Sequence, residues 1–230
     1  MTTLVLLPGL DGTGMLFQLF LRELPAGWRT RVVAYPMDAG ADYDVLTELA
    51  AREIPSDGQV VLLGESFSGP VAIRLAAALG SRLQALVLCC SFARNPRPQL
   101  SRLGGLIGCL PSPAAVPSGL SAQVLLGSHA SAEARSLLKD ALASLPAAVL
   151  QARLRMVMAV DVTPALAAVS APLLYLQAGQ DRIVPPTAAA DIQQHCPQAR
   201  IVRLAGPHGL LQAEPAASAA AMTSFLADPD

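Results

Sequence analysis

The chain has 230 residues, of which 53% are apolar and 14% charged, with a formal net charge of −1. That length suits one domain with a core large enough to line a pocket, and the apolar share excludes a disordered chain. The near-zero charge excludes a generally basic nucleic-acid binder, and no apolar run is long enough to span a membrane.

In chain order, Thr3–Leu7 reads as a first strand, followed by the glycine-rich loop Pro8-Gly9-Leu10-Asp11-Gly12-Thr13-Gly14. A helix is predicted over Leu16–Leu24, a strand over Arg31–Tyr35, a helix over Tyr43–Glu53 and a strand over Val60–Leu63. Pro70–Leu79 then reads as a helix and Ala85–Cys90 as a strand. These strands are apolar without alternation, as expected for a parallel sheet covered by helices on both faces.

The pattern stops between about Phe92 and Val160. Pro96, Pro98, Pro111, Pro113 and Pro117 fall there, with helical runs over Ala132–Leu142 and Ala147–Val160 and no strand signal. Plain connections in such sheets are short, so this stretch reads as a cap or a functional loop. Thr163-Pro164 reads as a helix N-cap with proline at the first helical position. Leu173–Gln177 and Arg200–Leu204 resume as strands around the helical Thr187–His195, and Pro215–Leu226 closes the chain as a helix. The expected fold class is α/β. It has about six mostly parallel strands, right-handed crossovers and flanking helices. Residues 1–91 and 163–230 form the core and residues 92–162 a helical cap insertion, within a single domain.

Met1-Thr2-Thr3-Leu4 runs straight into strand-like sequence with no basic or hydrophobic leader, so the expected compartment is the cytoplasm. Cys89, Cys90, Cys109 and Cys196 show no metal-ligand spacing and no disulfide framework. They read as small buried hydrophobes.

Gly64-Glu65-Ser66-Phe67-Ser68 joins the third predicted strand to a helix. A nucleophile on such a tight turn needs small neighbours on both sides, and Gly64 and Ser68 supply them. Alone, the pentapeptide is explained equally well by Ser66 capping the helix. A serine hydroxyl becomes a useful nucleophile only when an imidazole takes its proton and a carboxylate orients that imidazole. His208 follows the last predicted strand, and Asp181 follows the strand before it. His195 reads as a surface residue and His129 as a surface or capping one. The chain order Ser66, Asp181, His208, each just past a strand, favours the nucleophile reading. The backbone N–H groups of Leu10 and Phe67 are the candidate oxyanion donors. The glycine spacing matches neither a P-loop nor a dinucleotide fingerprint, and Asp11-Gly12 is most simply a turn pair.

Together, the Pro8-Gly9-Leu10 loop, the Gly64–Ser68 elbow, Gly179–Pro185 with Asp181, and Pro207-His208-Gly209 resemble the α/β-hydrolase superfamily over nearly the whole chain. The resemblance implies a Ser66-His208-Asp181 triad and an oxyanion hole at Leu10 and Phe67. Pro8 stands where many members have histidine, Ser68 replaces glycine, and the usual leading hairpin is not seen. The stretch Leu7–Gly14 is also similar to acyl-transferring and esterase-like members.

Seven basic residues lie in the predicted cap (Arg94, Arg97, Arg102, Arg135, Lys139, Arg153 and Arg155) against two acidic ones, Glu133 and Asp140. Such a surface would steer an acidic partner, for instance an acyl-carrier protein. The layout is similar to capped esterases that remove a methyl group from a carrier-bound diacid, of the pimeloyl type. Solvated helix faces explain the same charges. The cap's apolar residues, Met156 and Met158 among them, fit either an acyl site or plain helix core. The expected function is hydrolysis of carboxylic esters or thioesters through an acyl-enzyme, with no metal or redox cofactor implied. An acyltransferase with the same triad and a non-catalytic binding protein on the same fold are the alternatives.

Overall fold

A computed structural model describes residues 2–110, 112–128 and 130–228. His129, and the side chains of Arg102 and Cys109, lie outside the described residues. Six strands form one sheet: β1 (Thr2–Leu7), β2 (Arg29–Val32), β3 (Gln59–Glu65), β4 (Leu83–Cys89), β5 (Leu173–Ala178) and β6 (Arg200–Leu204). Their order is β2-β1-β3-β4-β5-β6, and every pairing is parallel.

The unbroken apolar runs are explained by burial of both faces. Val5, Leu7, Val60, Leu62, Leu86, Leu88, Leu173 and Tyr175 enter one core cluster. Their alternate neighbours Leu4, Leu6, Val61, Leu63, Val87, Cys89, Leu174 and Leu176 enter the other, as a two-residue side-chain period requires. Four helices cover the first face: α2 (Tyr43–Arg52), α3 (Gly69–Leu79), α7 (Thr163–Ala167) and α8 (Thr187–His195). The second is covered by α1 (Gln18–Arg22), α9 (Leu210–Ala213) and α10 (Pro215–Ala227). At the edges, β2 and β6 carry exposed Arg29, Arg31, Arg200 and Arg203, charges that discourage pairing with another strand.

Three expectations are corrected in detail. The second strand was expected over Arg31–Tyr35 but pairs over Arg29–Val32. Val33 and Tyr35 lie past the last paired position, their N–H groups donating to Leu6 O and Gly12 O at 2.9 and 2.8 Å, and both are buried, so the apolar signal there reports core position as well as the strand. The helix expected over Leu16–Leu24 is a 3-10 turn, Met15–Phe17, leading into the short α1; Pro25 disfavours helix at Leu24. Thr163 is the first residue of α7 rather than its cap, and the Asp161 carboxylate accepts both its N–H and its hydroxyl.

Between β4 and β5 the described residues contain no strand. A 3-10 segment (Pro98–Cys109) is followed by α4 (Ser118–Leu125), α5 (Ala132–Ala143) and α6 (Ala147–Ala159). The two ends of this stretch are joined, because Val160 O accepts from Asn95 N and Ala93 O accepts from Val162 N. No helix among the described residues is long and apolar enough to cross a membrane.

Candidate active site

The topology creates the crevice. After β1 the chain leaves toward the face covered by α1, whereas after the adjacent β3 it leaves toward the face covered by α3. Two neighbouring strands whose continuations part to opposite faces open a cleft at their carboxyl ends, where ligands of such sheets bind. The Pro8–Gly14 loop lines one side of that cleft and Ser66 the other.

Ser66 is held in the left-handed region at φ 48°, a strain of about 1–3 kcal/mol for a residue with a Cβ. The surroundings impose it. A Cβ on Gly64 would stand 2.7 Å from Ala72 Cβ and 3.0 Å from Ser68 O, so β3 and α3 can approach this closely only with glycine there. The Ser66 carbonyl accepts from Ser91 Oγ and the Phe67 carbonyl from Tyr43 Oη at 3.1 Å. Ser66 does not occupy the N-cap of α3, which is Ser68, and no side chain caps that helix.

Serine at position 68 has a local reason. Its hydroxyl is fully buried, donates to Pro8 O and accepts from Tyr35 Oη at 2.8 Å. Here the small residue ties the turn bearing Ser66 to the loop after β1, which glycine could not do. Burial raises the Tyr35 hydroxyl's pKa, so it stays a donor.

Ser66 Oγ lies 2.8 Å from His208 Nε2, and His208 Nδ1 lies 2.9 Å from Asp181 Oδ2. The carboxylate only accepts, so Nδ1 carries the hydrogen and Nε2 is free to accept from Ser66. Asp181 is fixed by the Ile183 and Val184 N–H groups, 2.8 and 2.9 Å from Oδ1. The loops bearing the pair are joined by Gln180 N–H donating to Gly206 O at 2.8 Å. His208 is 7% exposed, and the loop's Gly209 N–H donates to Leu125 O at the end of α4. Cys90 Sγ lies within 4.8 Å of Asp181 and His208 ligand atoms, but the nitrogen and oxygens involved already bond one another.

Leu10 N–H has no recorded partner among the described residues, and Phe67 N–H opens a 3-10 turn, where donors are left over. Both are free to receive a ligand oxygen. Above them is a cavity of about 490 Å³ whose floor holds Ser66, His208 and Leu10 and whose roof is mostly cap leucines and valines, such as Leu120, Val124 and Leu142. The apolar lining under the cap comes from α4 and α5 together with Leu150 of α6 and Leu110, Val116 and Leu145 between the helices. Met156 packs against the main core instead, and Met158 is not among the described residues lining the cavity.

A family model described as "Serine aminopeptidase, S33" matches residues 29–211. The chain belongs to this family of α/β-hydrolases. No curated protein matches it. Among solved structures, an esterase from Exiguobacterium antarcticum is similar at 13% identity and TM-score 0.81, covering 99% of this chain and 92% of the other. A bromoperoxidase from Bacillus anthracis is similar at 17% identity and TM-score 0.81, with coverage of 99% and 92%. An enol-lactonase from Burkholderia xenovorans follows at 16% identity and TM-score 0.76, again covering 99% and 92%.

In this α/β-hydrolase the cap cations are mostly engaged. Arg94 pairs with Asp191. Arg97 donates to Ile183 O and Arg182 O, and Arg135 donates to the carbonyls of Gly127, Ser128 and Ala130. Arg153 corrects the expectation outright. It is 2% exposed and points into the protein, so it cannot belong to a docking surface. Val149 is the other buried residue of α6, one turn earlier, and that spacing was the available signal that position 153 faces inward.

Sequence reasoning also passed over Glu65. It is buried beside Ser66, lines the cavity and accepts from Gln212 Nε2 at 2.9 Å. Burial pushes its carboxyl up to about 7, opposed by the Gln212 hydrogen bond and aided by the Asp11 charge.

Proposed function

We propose that the protein is a serine hydrolase that cleaves carboxylic esters or thioesters with an apolar acyl group. The observation that carries the reading is the hydrogen-bonded line from Ser66 through His208 to Asp181 at the floor of an apolar cavity. Ser66 Oγ attacks the carbonyl carbon while its proton passes to His208 Nε2. The developing oxyanion is received by the N–H groups of Leu10 and Phe67. His208 then protonates the departing alcohol or thiol, leaving an acyl group on Ser66. Water, deprotonated by His208, attacks that acyl group; the acid leaves and Ser66 recovers its proton. Asp181 keeps the imidazole in the required tautomer and stabilises its charged form.

The test is initial rates on p-nitrophenyl esters of increasing acyl length. Wild type is expected to turn them over, and Ser66→Ala and His208→Ala to lose at least about 10³-fold in kcat while remaining folded. Wild-type rates in folded Ser66→Ala would sink the reading. Acyl transfer is the variant in which an added alcohol outcompetes water for the acyl group. A non-catalytic binding protein would leave Ser66 unlabelled by a fluorophosphonate probe. A carrier-bound ester is a narrower form of the same proposal. Lys139 and Arg155 are exposed on the cap and make no ion pair among the described residues, so among the described cap cations they are available to meet an acidic carrier.

A further inference from the structure

Arg153 is a cation placed where an apolar side chain would pack at lower cost. It sits on α6 and is 2% exposed. Burial pulls its pKa down, the direction expected when a charge is taken out of water. Its guanidinium donates from Nη1 to Leu10 O at 2.8 Å and from Nη2 to Pro36 O at 2.9 Å. The same group stands 5.8 Å from the centre of the Phe67 ring and 5.9 Å from that of Tyr35, within cation–π range. The loop is built to admit it, because a Cβ on Gly12 would lie 2.5 Å from Nη1.

Leu10 and Phe67 are the two residues whose N–H groups are assigned to the oxyanion. One side chain therefore touches both, through the carbonyl of the first and the ring of the second. The two preceding carbonyls of the loop are held as well. Pro8 O accepts from Ser68, and Gly9 O accepts from Gly12 N–H at 3.0 Å. With three successive carbonyls fixed, the Gly9–Leu10 peptide has little freedom to turn its N–H away from the cavity. Without Arg153, the Leu10 carbonyl loses its recorded partner and the ring of Phe67 loses the charge above it.

We propose that Arg153 is a positioning residue that sets the oxyanion donors from the cap, a role that rests on the serine-hydrolase reading above. Lysine cannot replace it, since one ammonium does not reach two carbonyls with the planar fork of a guanidinium.

The experiment compares wild type, Arg153→Met and Arg153→Lys. Active sites are counted with a fluorophosphonate, folding is checked by melting temperature, and affinity for an alkyl trifluoromethyl ketone is measured. That ketone forms a tetrahedral adduct bearing the oxyanion. In both variants kcat per titrated site is expected to fall by about 10²-fold with KM nearly unchanged, and ketone affinity to weaken in parallel. A merely structural role would lower the titrated fraction and the melting temperature while leaving kcat per site and ketone affinity intact, and that result overturns the proposal. Should Arg153→Met fail to fold, Arg153→Lys carries the same comparison, and wild-type kcat and ketone affinity there overturn it equally. Failure of the underlying reading looks different, since wild type itself would then leave Ser66 unlabelled.

Discussion

Glu65 stands one residue before Ser66 with its carboxyl out of water, and its proton behaves accordingly. Its pKa is pushed up to about 7 in the folded protein, from an ordinary 4.5. Between those values the folded state holds a proton that the unfolded state has released, so stability falls as pH rises through this window. Glu65→Gln keeps an oxygen for Gln212 and has no proton to lose. Its stability relative to wild type is expected to grow from near parity at pH 4.5 by on the order of 3 kcal/mol above pH 7, read from urea midpoints at each pH. A difference that stays flat with pH would show that Glu65 does not titrate in this range. Ser66, Asp181 and His208, which the structure joins in one hydrogen-bonded line, were legible by reading alone, because each is a residue type that such a line requires just past a strand. The roles of Glu65 and Arg153 could not be found that way, although the spacing from Val149 marks position 153 as inward-facing. Their roles depend on which neighbours surround them after folding, and single-residue type says nothing of that.

Among the elements, the strands were the easiest to read. Burial on both faces leaves continuous apolar runs that no surface segment imitates. The sheet edge is harder, because the buried Val33 and Tyr35 follow the last paired residue of β2 and carry its apolar signal past Val32. The cap resisted for another reason. Its 3-10 segment holds Gly105 and α4 holds Gly119, residues whose intrinsic propensity argues against the helical turns they adopt. The cap helices nonetheless carry a sharp expectation. Leu142 of α5 lines the cavity and packs on the small cap cluster. Leu142→Trp would fill part of the roughly 490 Å³ available. Rates on acetyl and butyryl esters are expected to stay near wild type, while those on octanoyl and longer esters fall by about tenfold or more, on the scale of a few misplaced methylenes. Equal loss at all lengths would mean that the acyl chain lies elsewhere.

For the molecule as a whole, the two clusters flanking the sheet are extensive, whereas among the described residues the cap's own cluster has four buried members: Ala122, Leu126, Ala134 and Leu138. Local opening free energies follow buried apolar contact, so the cap should loosen before the sheet. Trp28 is the single tryptophan and packs on the sheet's second cluster, so its fluorescence follows the sheet. Activity is expected to vanish at lower urea than the Trp28 signal, and coincident midpoints would show cap and sheet to be one cooperative unit. The cap is nevertheless not a detachable cover. Leu125 O at the end of α4 holds the loop of His208, and Arg153 on α6 holds the loop of Leu10. The loop that carries His208 and the loop that carries Leu10 are each braced from above. Trimming the insertion to admit bulkier esters would thus remove braces along with the roof. A transplanted cap would work only if it brought its own carbonyl and its own guanidinium to the same two loops.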